Sequence, residues 1–264
     1  MGPRVVFMGS PEFSVPALRA VAAACDVVRV VTQPDRPSGR GLEMHPSAVA
    51  RAAGEMGLPV SRPQNMWDRS VVTELREADA SVFAVVAFGA ILTPEVLALP
   101  RAGCVNLHGS LLPDYRGASP VQRALWDGRA ETGVCTLFMD AGIDTGDVIA
   151  CRREAIRDDD DAATLAARLA ELGAPLLVES VMQAADGRAA RAAGPGRGQL
   201  RREAPQGGRR RGLVAACARG VVARARGDAV ARGRDDVPRQ ARDPDAHAAR
   251  SRGRKGFAGP SARQ

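Results

Sequence analysis

The chain has 264 residues, of which 45% are hydrophobic, enough to bury the core of one large domain or two modest ones. Its charge is uneven, because residues 1–186 carry a net charge of −7 and residues 187–264 one of +14. No apolar stretch approaches the roughly 20 residues of a membrane-spanning helix, and residues 5–9 already read as a strand, so neither membrane insertion nor secretion is predicted.

Strand and helix patterns alternate along the first 187 residues. Near-continuous Val/Ala strands separated by helices predict the α/β class, with a Rossmann-like, mostly parallel sheet covered by helices on both faces. Beyond it we expect a disordered tail rich in Arg, Ala and Gly, with a single aromatic residue, Phe257. The predicted strands are 5–9, 27–32, 80–88, 103–108, 133–139 and 147–151, and the predicted helical segments are 11–25, 46–56, 67–78, 94–99, 119–127 and 162–185.

The turn after the first strand lacks the glycine pattern G-x-G-x-x-G of dinucleotide-binding folds. It reads Gly9-Ser10-Pro11, and a proline there would obstruct a dinucleotide turn, which disfavours a nicotinamide enzyme. Ligands of open α/β sheets still bind beyond the carboxyl ends of strands. Because Gly9, Gly89 and Gly109 all follow predicted strands, one crevice is expected to collect all three.

Polar side chains at the end of the strand 103–108 predict an active site. Asn106 and His108 are two residues apart, hence on one face, and Asp144 follows in a Gly-rich turn. These groups supply an oxyanion donor, a general acid/base and an anion that holds the imidazole. The alternatives without a catalytic role are that His108 is a hydrogen-bonded structural residue at the strand end and that Asp144 caps a turn. A cation site at Asp140, Asp144 and Asp147 would fit the spacing alone, but lacks an EF-hand layout.

The loop 33–41 is rigid at its prolines and pliable at its glycines, and it carries Arg36 and Arg40. A solvated surface loop is one interpretation. The functional hypothesis is that the loop contacts a nucleic acid, because guanidinium groups bind phosphates. The five cysteines form no C-x-x-C pair and have no metal-ligand spacing, which predicts reduced thiols in a cytosolic protein.

Five motifs together resemble the methionyl-tRNA formyltransferase family. They are FMGSPEF (7–13), TQPDRPSGRG (32–41), VAFGAIL (86–92), NLHGSLLPDYRGASP (106–120) and TGVCTLFMDAGIDTGD (132–147), and the likeness spans about residues 4–187. The N-x-H motif with a distant aspartate is common to folate-dependent formyltransferases, whereas the P-D-R-P-x-G-R-G loop is characteristic of the tRNA enzymes. The resemblance implies a formyltransferase catalytic domain over residues 1–187.

The resemblance implies transfer of a formyl group from 10-formyltetrahydrofolate, as co-substrate, to the α-amino group of initiator methionyl-tRNA, with no metal. Asn106 would stabilise the oxyanion, His108 would move protons, and Asp144 would position His108. A cytoplasmic monomer is expected. The folate-binding residues that the resemblance implies are Phe88, Gly89, Ala90, Ile91, Leu92, Ser110, Leu111, Leu112, Pro113 and Asp140. The tRNA-binding residues that it implies are Gly9, Ser10, Arg36 and Arg40.

Three positions depart from the family pattern. The family usually has basic residues where Leu42 and Glu43 stand, and threonine where Ser10 and Cys135 stand. The first departure is expected to weaken contact with tRNA, and the other two are mild.

Residues 188–264 lack the alternating strands of the family's C-terminal β-barrel, which binds tRNA. The chain has 36 Arg and one Lys, which indicates GC-rich coding, where misread frames yield Arg, Ala and Gly. Reverse translation shifted by one nucleotide permits segments resembling the family's linker, I-D-W-S and P-W-P-G-A motifs near residues 199–208, 213–219 and 228–234. We therefore interpret this basic tail as an out-of-frame remnant of the barrel, with the shift between about 186 and 195. A genuine basic arm that binds nucleic acid is the alternative.

Two other functions stay open. One is a folate-dependent formyltransferase acting on a small amine, such as an amino sugar or glycinamide ribonucleotide, against which the loop 33–41 argues. The other is a non-catalytic RNA-binding protein that uses the basic tail.

Overall fold

The computed structural model describes residues 2–38 and 43–189. Within them, a seven-stranded sheet carries helices on both faces, and two further strands form a small hairpin. The strands are β1 (Arg4–Gly9), β2 (Asp26–Val31), β3 (Arg36–Ser38), β4 (Glu43–His45), β5 (Val60–Ser61), β6 (Val82–Val86), β7 (Cys104–His108), β8 (Glu131–Phe138) and β9 (Val148–Ala155). The helices are α1 (Val15–Ala24), α2 (Ala48–Glu55), α3 (Arg69–Glu77), α4 (Pro94–Leu97), α5 (Pro120–Trp126) and α6 (Ala162–Ala185). The predicted α/β class is confirmed.

The large sheet has the order β5-β2-β1-β6-β7-β8-β9. Its first five strands are parallel, β8 pairs antiparallel with β7, and β9 pairs antiparallel with β8. Alternate residues of β1 serve the two faces: Val5 and Phe7 pack into one core, Val6 and Met8 into the other. Burial on both faces explains why these strands are apolar runs without polar alternation.

Helices α1, α2 and α6 cover the first face, and α3 and α4 cover the second. Gly173 of α6 lies directly over β7, since a Cβ built there would come within 2.7 Å of Leu107 Cδ2. A glycine at this position therefore lets α6 approach the strand that carries Asn106 and His108. No helix in residues 2–38 or 43–189 is both long and apolar enough to cross a membrane.

Three elements differ from the sequence predictions. The hairpin of β3 and β4 lies where a loop was expected, and β5 is a two-residue strand too short to show a pattern. The predicted helix 11–25 begins as a short 3₁₀ turn, Glu12–Ser14, before α1. The predictions for the basic tail, including the shifted reading frame, concern residues beyond 189 and lie outside the described residues.

An ion cluster ties the start of α6 to the end of β9. Asp161 caps α6 through a capping box with Thr164. One turn later, Arg168 donates to both carboxylate oxygens of Asp160, at 2.5 and 2.7 Å, and to Glu154 at 2.8 Å. The Asp160 side chain is only 2% exposed. The Arg168 guanidinium is the main reason that the pKa of Asp160 lies below its ordinary value of 3.8.

Arg168→Met is expected to lower the melting temperature by several degrees near neutral pH, because it leaves the enclosed Asp160 carboxylate without its partner. A carboxylate whose pKa is lowered on folding stabilises the folded state above its unfolded pKa and loses that contribution as pH falls towards its folded pKa. The free-energy difference between wild type and Arg168→Met should therefore shrink as the pH falls below about 4. Urea unfolding from pH 7 to pH 3 measures it.

The matched control is Arg19→Met, which removes an exposed ion pair with Glu55. Surface pairs of this kind contribute little, so its stability should follow wild type at every pH. A pH-independent loss in Arg168→Met would contradict the assigned role of Asp160.

Candidate active site

The site lies where three parallel strands end side by side. Gly9 pairs with Val86, and Val86 pairs with Leu107, so the carboxyl ends of β1, β6 and β7 are level. His108 follows Leu107 at the end of its strand and is nearly buried. Ligands of open α/β sheets bind beyond such strand ends, so the loops that leave this edge are the candidate lining of a site.

The side chain of Asp144 contacts both of the other predicted catalytic residues, Asn106 and His108. Its Oδ1 accepts a hydrogen bond from Asn106 Nδ2 at 3.1 Å, and its Oδ2 lies 3.4 Å from His108 Nδ1. Oδ2 also accepts from the main-chain N–H of Gly117 at 2.9 Å. Asp144 has a positive φ of 50°, a conformation that aspartate tolerates better than most residues. The structure thus brings Asn106, His108 and Asp144 together, and one amide hydrogen of Asn106 is left for another acceptor.

The other nitrogen of the imidazole faces the main chain. His108 Nε2 lies 2.9 Å from the carbonyl oxygen of Tyr115, which can only accept. Nε2 must therefore carry hydrogen, and the ring is held between this carbonyl and the carboxylate of Asp144.

The segment 88–92, implied to bind folate, shows two kinds of residue. Phe88 and Leu92 are buried in the core beneath α3 and α4, and the Phe88 carbonyl accepts from the Ser10 hydroxyl. Ile91 is 78% exposed, Ala90 is half-buried, and Gly89 has a φ of 79° that favours glycine. The loop thus offers backbone groups and one apolar side chain.

Internal hydrogen bonds and apolar contacts hold the segment 110–113 in place. Ser110 is fully buried and donates to the carbonyl of Asp114 at 2.6 Å, so its hydroxyl is already used. Leu112 is buried and Leu111 half-buried against β8 and β9, whereas Pro113 is exposed after a cis peptide bond. The loop can therefore contact a ligand chiefly through Pro113 and main-chain atoms.

A disulfide supports this loop. Cys135 of β8 and Cys151 of β9 are bonded, with Cα atoms 4.1 Å apart, so the prediction of reduced thiols is wrong for this pair. The two residues are direct partners in the antiparallel register, which places their side chains on the same face. The N–H of Leu112 donates to the Cys135 sulfur at 3.4 Å. Cys217 lies outside the described residues.

Gly9 and Ser10 serve the packing of the crevice wall. A Cβ at Gly9 would lie 2.9 Å from Ser14 Cβ, so no larger residue fits without a shift. The Ser10 hydroxyl donates to the carbonyl of Phe88 at 3.1 Å and accepts from the N–H of Gln33 at 3.2 Å. Ser10 thus links the loops that follow β1, β2 and β6.

Arg36 is exposed on β3, and its guanidinium donates to Gln33 at 3.2 Å. Arg40 lies outside the described residues.

Asp140 stabilises the turn that carries Asp144. It accepts from the N–H of Gly142 at 2.9 Å and from the hydroxyl of Thr145 at 2.7 Å. In the described part of the chain, no three His, Cys, Asp or Glu side chains are grouped so as to hold a metal ion.

The family model described as formyl transferase matches residues 4–181, about two thirds of the chain. The chain belongs to the formyl transferase family. Among curated relatives, a methionyl-tRNA formyltransferase from Pelotomaculum thermopropionicum is 48% identical over 189 residues, which are 71% of this chain and 60% of the relative. One from Paracoccus denitrificans is 51% identical over 178 residues, 67% of this chain and 60% of the relative. The chain thus spans about 60% of the length of these relatives.

Solved structures support the fold of this chain. Glycinamide ribonucleotide transformylase 1 from Symbiobacterium toebii aligns with a TM-score of 0.59 at 18% identity, covering 71% of this chain and 89% of that one. At this level of identity the likeness concerns the fold alone.

The sequence predictions missed the main-chain groups of the site. The Tyr115 carbonyl and the Gly117 N–H contact His108 and Asp144, yet a main-chain group leaves no side-chain pattern to read. A signal for the bond between Cys135 and Cys151 did exist, because pairing the two predicted strands through a short connection would have set these residues opposite each other.

Proposed function

We propose that this chain carries the catalytic domain of a methionyl-tRNA formyltransferase, which transfers a formyl group from 10-formyltetrahydrofolate to the α-amino group of initiator methionyl-tRNA. The observation that carries the proposal is the single carboxylate of Asp144, which joins Asn106 and His108 at the carboxyl end of β7. Identities of 48% and 51% to methionyl-tRNA formyltransferases support the choice of substrate.

Each residue of the site has a task in this reaction. The folate supplies a formyl group on N10; the amine nitrogen forms a bond to the formyl carbon, the bond to N10 breaks, the amine loses a proton and N10 gains one. Asn106 has an amide hydrogen to offer the formyl oxygen as it gains negative charge. His108 takes the proton from the amine and returns it to N10, and Asp144 balances the imidazolium in between.

The crevice fits a folate by its chemistry. Exposed Ile91 on one loop and Ile143, 69% exposed, on another offer apolar surface to a flat ring. The main-chain groups of residues 88–92 and of the turn at Asp140 offer hydrogen bonds to the ring's edge. Within 110–113 we assign contact to Pro113 and to the main chain, because the side chains of Ser110 and Leu112 are buried.

For the tRNA we assign the charged contact to Arg36, together with Arg40. Gly9 and Ser10 shape the wall of the crevice between the hairpin of β3 and β4 and His108, so we assign them an indirect part in substrate binding.

The proposal places the protein in the cytoplasm as a monomer, with residues 1–187 as the catalytic domain. It treats residues 188–264 as the out-of-frame remnant, which the coding DNA tests: stop codons before codon 240 in the shifted frame would rule it out.

The substrate is tested by formyl transfer to charged initiator tRNA, glycinamide ribonucleotide and an amino sugar, each with 10-formyltetrahydrofolate. We expect kcat/KM for the tRNA to exceed that for the small amines by about 100-fold or more, and to fall as salt rises because phosphate contacts contribute to binding. A higher value for a small amine would identify a small-amine formyltransferase. Binding of tRNA without transfer would identify a non-catalytic RNA-binding protein.

A further inference from the structure

The phenol of Tyr115 is held by two charged groups. Its hydroxyl donates to Asp127 Oδ2 at 2.6 Å and accepts from Arg129 Nε at 2.8 Å. The Arg129 guanidinium also lies 5.4 Å from the centre of the Tyr115 ring and 3.4 Å from Asp114. Charge-assisted hydrogen bonds of this kind are the stronger class in proteins.

These charged groups belong to the end of a packed helix. Asp127 is the residue at which α5 ends, and Arg129 follows two residues later. Val121 and Ala124 bury α5 in the core beside α6. The phenol is thus attached to a fixed part of the fold, although its main chain belongs to the loop that follows β7.

The backbone of Tyr115 adopts a conformation that the loop alone would not favour. Its φ is +57°, in the left-handed region that a bulky residue rarely occupies. Such a conformation persists where surrounding contacts over-determine it. Here the phenol contacts hold the residue on one side, and the carbonyl meets His108 Nε2 at 2.9 Å on the other.

We propose that Tyr115 is a positioning residue for His108. Its phenol, held by Asp127 and Arg129, sets the main-chain carbonyl that fixes the orientation of the imidazole and keeps the hydrogen on Nε2. This contact is shorter than the 3.4 Å between Nδ1 and Asp144, so the ring is oriented from both sides before substrate binds. The catalytic part of the inference rests on the proposed function, whereas the orientation of the ring does not.

Nitrogen NMR of the histidine rings tests the proposal in Tyr115→Phe, which removes only the hydroxyl, and in Asp127→Ala, which removes the acceptor of that hydroxyl and leaves Tyr115 intact. The chain has three histidines, so His108→Gln assigns the signals of His108. In wild type we expect Nε2 to give the shift of a protonated nitrogen. In both variants the Nε2 and Nδ1 shifts should move towards the average of two tautomers, and kcat should fall about tenfold or more while KM changes little.

Trp126→Phe is the matched control, since Trp126 lies on α5 with its side chain 79% exposed. It should leave the ring shifts and kcat as in wild type. The proposal is overturned if the His108 shifts in Tyr115→Phe and Asp127→Ala match wild type, or if they move with no change in kcat. If wild type transfers no formyl group at all, the proposed function fails, and the ring shifts still decide the positioning role.

Discussion

His108→Ala is expected to lower kcat for formyl transfer by about two to four orders of magnitude, the usual contribution of a positioned acid/base group. The imidazole lies between Asp144 and the Tyr115 carbonyl, whereas the other described histidine, His45, is exposed on β4. Without the imidazole, no neighbouring group accepts the proton of the amine, and none donates a proton to N10. KM for the folate should change far less, because the side chain is only 7% exposed and offers little binding surface.

His45→Ala is the matched control, because this exposed histidine lies on β4 in the small hairpin. Single-turnover transfer with both substrates saturating separates the chemical step from product release. His45→Ala should retain the wild-type rate of that step. A rate in His108→Ala within about threefold of wild type would exclude His108 as the acid/base, since a group in that role contributes at least ~100-fold.

The pairing of Asn106 with His108 was predictable because strand geometry is periodic. Side chains two residues apart on a strand must share a face, and the apolar residues Val105 and Leu107 had to face the core. The distant Asp144 was predictable only through its residue type and the Gly-rich turn around it. Its three contacts depend on a positive φ at Asp144, a tertiary property that the spacing of residues does not encode.

The resemblance implies that the segments 88–92 and 110–113 bind folate, but it does not say which of their atoms are accessible. Phe88, Leu92 and Leu112 are as apolar as Ile91, yet the first three point into the core and Ile91 into solvent. Periodicity does not resolve this in a loop, because a loop has no regular repeat.

The cysteine pair was mispredicted for a related reason. Spacing along the chain contains no C-x-x-C motif, and only the register of β8 against β9 sets Cys135 opposite Cys151. Register in antiparallel pairs follows from the turn and the buried faces, which must be known first.

Asp144→Asn is expected to lower kcat by about three orders of magnitude while leaving the fold intact. Asparagine tolerates a positive φ as well as aspartate does, so the backbone at φ +50° should persist. The contacts cannot persist, because Asp144 accepts at both oxygens and an amide accepts at only one. If the new NH₂ group replaces Oδ1, it faces the NH₂ group of Asn106. If it replaces Oδ2, it faces the N–H of Gly117 and the ring of His108.

Either orientation of the new amide would also remove the negative charge that balances an imidazolium, so both geometry and charge argue for a large loss. The matched control is Asp159→Asn, an exposed aspartate before α6, which should transfer formyl groups at the wild-type rate. Urea unfolding shows whether the Asp144→Asn fold is intact, and kcat is then compared at saturating folate and amine. A stable Asp144→Asn protein with kcat within about tenfold of wild type would show that His108 does not depend on this carboxylate, since loss of such an orienting anion costs far more than ~10-fold.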